Sequence, residues 1–323
     1  MGTISYLTIC FIGIPFITAY NIISAIFRGM GDSKSPMYFI AIACAANIVL
    51  DYVFIGGLHL GPAGAALGTT CAQAVSVVIS LFMIMRQRKE LALSRKDFRL
   101  SHNIMGQILK IGIPIALQDG FIQVAFMIIT IIANQRGLND AAAVGIVEKI
   151  ISFLFLIPSS MLSTVSALGA QNIGAGKRQR ANETLRYAVL ITVGFGIIVG
   201  IFMQFFASPV VALFTDASDA QGAEVVRLGG QYLRGYVWDC MFAGIHFSFS
   251  GYFCAYGKSG ISFLHNIIAI TLVRIPGVYL ASTLFPDTLF PMGLATAAGS
   301  LLSAIICVVA FTILNRKGKM KKD

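Results

Sequence analysis

Long uninterrupted apolar runs separated by short polar connections organise this chain. They cover roughly positions 3–27, 36–55, 63–85, 107–133, 141–166, 187–213, 232–256, 261–284 and 291–314. A helix of about 20 residues crosses the roughly 30 Å of bilayer hydrocarbon, and each run is about that long. A membrane barrel would instead show short alternating strands with polar lumen positions. The pattern therefore predicts an all-α polytopic membrane protein with nine transmembrane helices.

A distant internal echo adds organisation. Ser24-Ala25-Ile26-Phe27-Arg28-Gly29-Met30-Gly31, at the end of the first run, is answered 226 positions later by Ser250-Gly251-Tyr252-Phe253-Cys254-Ala255-Tyr256-Gly257. Gly64 with Ala66 in the third run is matched by Gly293 with Ala295 in the last, at a nearly equal offset. A duplicated multi-helix half marks a secondary transporter. Three further runs precede the second copy, whereas the first copy begins at residue 1. The expectation is a transporter lacking roughly the first 120 residues of its own period.

Composition agrees with a bilayer. The chain is 57% hydrophobic and 12% charged, with a mean hydropathy of +0.81, and a water-soluble domain of that make-up would expose far more apolar surface than is normal. The net charge of +10 follows topology and is not a nucleic-acid surface. Arg28 and Lys34, the cluster from Arg86 to Arg99, Lys177, Arg178, Arg180, Arg186, Lys258 and the tail from Arg316 to Lys322 alternate onto one side of the nine-helix path. The other side offers Arg136, with Arg227 and Arg234 at a helix entrance. The positive-inside rule places the C-terminus in the cytoplasm and the N-terminus outside. Three additional upstream helices would bring both termini to the cytoplasm, a second reason to expect a truncated chain.

Cys10, Cys44, Cys71, Cys240, Cys254 and Cys307 fall inside apolar runs without metal-ligand spacing and read as small core residues. His246 and His265 read as helix-packing residues. Gly174-Ala175-Gly176-Lys177 resembles the end of a phosphate-binding loop, but Arg178 stands where that loop needs Ser or Thr for magnesium. The polar connection at 87–104 is too short for a nucleotide-binding domain. Transport would be driven by an ion gradient, with no cofactor and no enzymatic chemistry.

A coupling ion needs ionisable groups inside the membrane, and each such group is a functional candidate. Asp51 lies one helical turn after Asn47, so both project from one face. Burial raises a carboxylate's pKa toward physiological values, and a carboxamide neighbour orients the acid or offers an oxygen to a cation. The pair suits a proton or Na⁺, and it also suits a hydrogen-bonded packing contact. No other metal site is indicated. Asp119, beside Gln118 and Gly120 and after Pro114, is a candidate cleft carboxylate. Asp239, next to Trp238, offers a carboxylate-and-aromatic patch for a cation or an outer-interface position. Glu148 and Lys149 are consecutive and read as helix-end solvation, while Arg274, deep in its run, calls for an intramembrane partner, a carboxylate or helix C-terminal carbonyls, as a structural clamp or a substrate contact. Gly64 with Gly68 and Gly196 with Gly200 read as close-packing devices. Pro15, Pro114 and Pro158 read as helix bends.

Arg28-Gly29-Met30-Gly31-Asp32-Ser33-Lys34-Ser35-Pro36, then Asn47-Ile48-Val49-Leu50-Asp51, then Gly61-Pro62-Ala63-Gly64-Ala65-Ala66-Leu67-Gly68-Thr69 resemble the fourth-to-sixth helix region of MATE (multidrug and toxic compound extrusion) transporters of bacterial type. Ala170-Gln171-Asn172-Ile173-Gly174-Ala175-Gly176-Lys177 resembles the family's loop after its eighth helix, and Arg274-Ile275-Pro276 its eleventh helix. The resemblance implies a twelve-helix protein of two six-helix lobes with a substrate cleft between them. Helices four to six would lie in 1–95, and helices seven to twelve, with a basic cytoplasmic tail, in 96–323.

The resemblance further implies a first-lobe cation site at Asn47, Asp51 and Thr69, with the Ala65 carbonyl one turn before Thr69. It carries Gln118, Asp119, Trp238 and Asp239 as substrate-binding candidates. This chain departs from the branch with a Glu on the seventh helix, since Gln118, Asp119 and Gln123 follow Pro114 instead. At the 226 offset Asp51 corresponds to Gly277, so the two halves are chemically unequal. The implied function is an H⁺- or Na⁺-coupled antiporter exporting amphipathic organic cations from the cell by alternating access, as a multi-pass monomer of the cell membrane. The alternatives are a lipid-linked oligosaccharide flippase of related fold and a non-transporting truncated remnant.

Overall fold

The computed structural model describes residues 2–87, 101–216 and 218–316, and the described residues are helical with no strand. The basic positions Arg88, Lys89, Arg95, Lys96 and Arg99, and Lys317 to Lys322, lie outside the described residues. The chain divides into two compact units, Met1–Leu100 and Ser101–Asp323.

The first unit holds α1 (Gly2–Gly29), α2 (Lys34–Asp51), a π-helical turn (Tyr52–Gly57) and α3 (Gly61–Gln87). Helix α3 packs against both α1 and α2. The reason is partly in its small residues. A side chain at Gly64 would meet the Phe54 carbonyl at 3.1 Å, and one at Gly68 would collide with the Asp51 carboxylate. Lipid tails are as apolar as the helices, so helix association relies on close packing. Tyr20, Ile23 and Phe27 of α1, Phe39 of α2, and Val77 and Ile84 of α3 form the core, with Phe27 edge-on to Phe39 at 5.5 Å. His59 and Gly61 both have positive φ in the turn that reverses the chain into α3.

The second unit holds α4 (His102–Arg136), α5 (Leu138–Leu154), α6 (Leu156–Gly174), α7 (Arg178–Ala212), α8 (Ala220–Tyr236), α9 (Asp239–Ala255), α10 (Ser259–Ala269), a second π-helical turn (Ile270–Arg274), α11 (Ile275–Leu284) and α12 (Phe290–Arg316). Helix α9 is the hub, packing on α6, α7, α10 and α12. Gly196 and Gly200 of α7 face Met241 and the Trp238 ring, so this i, i+4 pair receives the start of α9. Gly235 and Gly293 meet where α8 crosses α12, and a side chain at Gly235 would lie 2.5 Å from the Phe290 carbonyl. Arg136 closes α4 by donating to the Ser282 carbonyl at 2.8 Å, Phe285 at 3.1 Å and Pro286 at 2.6 Å, which satisfies orphan carbonyls after α11.

Among the described residues, seven helical segments are long and apolar enough to span a bilayer, or eight if the bent pair α5 and α6 is one span. That pair bends by 40°, and Pro158 accounts for the break, because it has no N–H for the Leu154 carbonyl four residues back. The expected run at 232–256 divides at Val237 and Trp238, leaving a 17-residue α9. At 1.5 Å per residue α9 spans about 25 Å, short of the hydrocarbon thickness. Pro276 likewise offers no N–H to the Leu272 carbonyl four residues back, and it directly follows the second π-helical turn and Ile275. Outward-facing Ile4, Ile198 and Phe205 are at least 70% exposed, the surface of a chain solvated by lipid.

Arg274 and Asp239 form the charged heart of the second unit. Arg274 donates to Asp239 Oδ2 at 2.9 Å and to Tyr236 Oη at 3.2 Å, and its guanidinium lies 5.5 Å from the Phe126 ring centre. Asp239 is 0% exposed. Gly299 of α12 makes the room, since a side chain there would lie 2.8 Å from Arg274 Cβ.

Replacing Arg274 with Met is expected to destabilise the protein by about 3–5 kcal/mol, because Asp239 is left buried and unmatched. Adding Asp239→Leu should restore much of the loss, as read from thermal melting of the purified protein in detergent. Gly293→Val should cost about 1–3 kcal/mol by overpacking the α8–α12 crossing. Gly194→Ala, where nothing lies within 4 Å, should leave the melting temperature unchanged or raised. Equal melting of the two glycine variants would contradict a close-packed crossing.

Candidate functional site

In the first unit, Asp51 is the last residue of α2, where the helix widens into the π-helical turn. Such turns are rare and recur at functional sites because they redirect side chains and free carbonyls. Asn47 Nδ2 points to Asp51 Oδ1 at 3.5 Å, both residues being half-buried. Gly68 of α3 lies directly against the Asp51 carboxylate. One residue on, the exposed Thr69 donates its hydroxyl to the Ala65 carbonyl at 3.1 Å.

Asn47 and Thr69 also share a cavity of about 250 Å³ with Ile40, Ala43, Cys44, Ala72 and Gln73. The four residues expected at a cation site therefore fall on the packed α2 and α3. They supply a carboxylate, a carboxamide, a hydroxyl and a carbonyl, the hard oxygen donors that suit Na⁺, and an acid that can carry a proton. Gln73, one turn after Thr69 on the same cavity wall, was missed in the sequence; its i+4 spacing was the available signal.

In the second unit the four substrate-binding candidates do not gather. Gln118 is fully buried, whereas Asp119, the next residue round α4, is exposed. Trp238 lays its ring against Gly200 of α7, while Asp239 turns inward to Arg274. The cation beside Asp239 is thus the chain's own guanidinium. The aromatic rings beside that guanidinium are Phe126 and Tyr236, not Trp238.

Glu148 corrects its reading as helix-end solvation. It lies well inside α5, half-buried, and accepts a hydrogen bond from the Thr130 hydroxyl at 3.3 Å. It lines a cavity of about 360 Å³ with Gln123 and Phe126 of α4, Ile151 and Ser152 of α5, and Phe155. The spacing of Glu148, Ser152 and Phe155, facing Gln123 and Phe126, was the signal in the sequence. His265 is buried between Ser250 Oγ at 2.9 Å and Ser303 Oγ at 2.6 Å, tying α9, α10 and α12 together. No group of three or more His, Cys, Asp or Glu residues placed to hold a metal occurs among the described residues.

Comparison with known proteins places these features in a family. The family model described as MatE matches residues 3–53 and 114–280, well over half of the chain. The chain is 30% identical over 278 residues to a Bacillus subtilis protein named probable multidrug resistance protein YpnP, covering 86% of this chain and 61% of that one. It is 26% identical over 325 residues to the multidrug export protein MepA of Staphylococcus haemolyticus, covering 99% of this chain and 69% of that one. A crystal structure of MATE in complex with MaL6 superposes with a TM-score of 0.89 at 21% identity, covering 97% of this chain and 70% of that chain. The chain thus spans about two thirds of the length of the proteins it matches. By the extent of the family match, this chain belongs to the MatE family.

Proposed function

We propose that the chain is the nine-helix part, helices four to twelve, of a two-lobe antiporter that exports amphipathic organic cations. Inward movement of H⁺ or Na⁺ would drive the export. Residues 1–95 would belong to the first lobe and 96–323 to the second, with the C-terminus in the cytoplasm. The observation that carries this reading is the Asn47–Asp51 pair set at the mouth of a π-helical turn and packed against Gly68.

Coupling requires that the ion bind two conformations unequally, because an ion bound equally by both shifts nothing. A carboxylate at a π-helical turn supports this reading. Ion binding changes the charge on Asp51, and the widened turn beside it is the element whose backbone hydrogen bonding can re-pair. The names of the relatives in Bacillus subtilis and Staphylococcus haemolyticus support multidrug export as the activity. Three arginines of the second unit support cationic over anionic substrates. Arg136 is spent on backbone carbonyls, Arg234 on Gln204 and Ser208, and Arg274 on Asp239. A flippase for a pyrophosphate-linked lipid would need such groups turned to its substrate.

The test is ethidium efflux from a bacterium lacking its own pumps, with the protein expressed at its native length. Asp51→Asn should lower efflux at least about tenfold, the scale of a coupling energy of ~1.4 kcal/mol or more, while the protein still reaches the membrane. Gly68→Ala should lower efflux in the same direction, because its methyl group would displace the Asp51 carboxylate. Efflux by Asp51→Asn at the wild-type rate would remove Asp51 from the coupling site. Dissipating the H⁺ and the Na⁺ gradients separately should show which of the two ions drives transport.

A further inference from the structure

We infer that the cavity walled by α4 and α5 binds an organic monocation, with the Glu148 carboxylate as its counter-charge. The inference rests on the export function proposed above and names the residue that would recognise the exported molecule.

Two facing stripes build the site. Gln123, Phe126 and Thr130 are three and four residues apart on one face of α4, and Glu148, Ser152 and Phe155 are four and three apart on one face of the chain through α5. The cavity lined by Gln123, Phe126, Glu148, Ile151, Ser152 and Phe155 is about 360 Å³, within the range of small-molecule pockets. Glu148 receives one hydroxyl, that of Thr130, and no Lys, Arg or His nitrogen lies within 4 Å of it among the described residues. Lys149 is the next residue, so it leaves the helix in another direction, and it is exposed. Arg274 shares the Phe126 ring at 5.5 Å but is matched by Asp239.

A carboxylate inside a membrane segment is costly without a counter-charge, and here it has the Thr130 hydroxyl and only the more distant charges of Arg274 and Lys149, and otherwise borders open space. A monocation on an apolar body meets every wall of that space. Its charge pairs with Glu148, its aromatic or aliphatic part lies on Phe126, Phe155 and Ile151, and any N–H it carries can donate to Gln123 or Ser152. An anion would face the carboxylate and is excluded. Soluble drug cations and the ammonium headgroup of an aminophospholipid share this chemistry.

The test is ethidium binding to the purified native-length protein in detergent, followed by fluorescence, alongside ethidium efflux in cells. Glu148→Gln should weaken binding at least about tenfold, Glu148→Asp should recover most of it, and Ser152→Leu should weaken it by filling the cavity. Melting and size-exclusion profiles identify folded variants, and Ser152→Leu decides the matter if Glu148→Gln does not fold. Failure of phosphatidylethanolamine to compete assigns the site to soluble cations; competition assigns it to the lipid amine, and either result keeps the cation site. Wild-type affinity in Glu148→Gln and Ser152→Leu, with efflux intact, overturns the site and spares the export reading. A wild type that neither binds nor exports ethidium overturns both.

Discussion

A charge placed in hydrocarbon must be matched or hydrated, and the interior of this protein is arranged around that requirement. Arg274 and Asp239 match each other at 2.9 Å in a setting closed by Tyr236, Phe126 and Gly299. Such a pair contributes little net stability when intact, since desolvating two ions offsets most of their attraction, yet losing one partner is severe. It therefore fixes the arrangement of α9, α12 and the second π-helical turn more than it strengthens it. Asp51 and Glu148 are treated differently. Each takes one weak polar contact, from Asn47 or Thr130, and neither is closed off by an opposite charge.

That contrast separates a closed ion pair from two open carboxylates. The matched pair sits at full burial, and its two ions neutralise each other without any ligand. Glu148 lines a cavity in the second unit, and Asp51 lies one helical turn from Asn47, which lines a cavity in the first. Around them the helices meet through glycines, because only backbone contact gives enough dispersion energy where lipid competes equally for apolar side chains. Gly64 and Gly68 hold the Asp51 turn, and Gly196, Gly200, Gly235 and Gly293 hold the hub around α9 and α8. Irregularity is confined to places with a local cause. Pro158 breaks α5 from α6 and Pro276 follows the second π-helical turn, while Gly56 and Gly57 end the first.

Much of the fold was legible along the chain because its causes are local. Twenty apolar residues in a row read as a membrane helix whatever surrounds them, and paired glycines four apart read as a contact face. The run at 232–256 was less legible. Its apolar character is continuous, but the chain turns at Val237 and Trp238 so that Asp239 can enter the core and Trp238 can cover Gly200. Asn47 with Asp51 was readable because one helical turn links them. Gln73 and the Glu148 cavity were not singled out, since each needs a second helix to acquire its surroundings.

The sequence by itself determined that this is a helical membrane protein with a repeated half, and it singled out Asp51, Asp119 and Asp239 as intramembrane carboxylates but not Glu148. Apolar run length, internal echo and the cost of an intramembrane charge are all properties of the linear chain. Tertiary structure alone decided what each carboxylate does. Asp239 and Arg274 are 35 residues apart in the chain and 2.9 Å apart in space, so the most buried acid is neutralised from within. Glu148, beside a lysine in sequence, has no basic partner within ion-pair reach among the described residues and borders open space. Charge pairing depends on distance in space and not on separation along the chain, so no reading of neighbours along the chain could have assigned these partners.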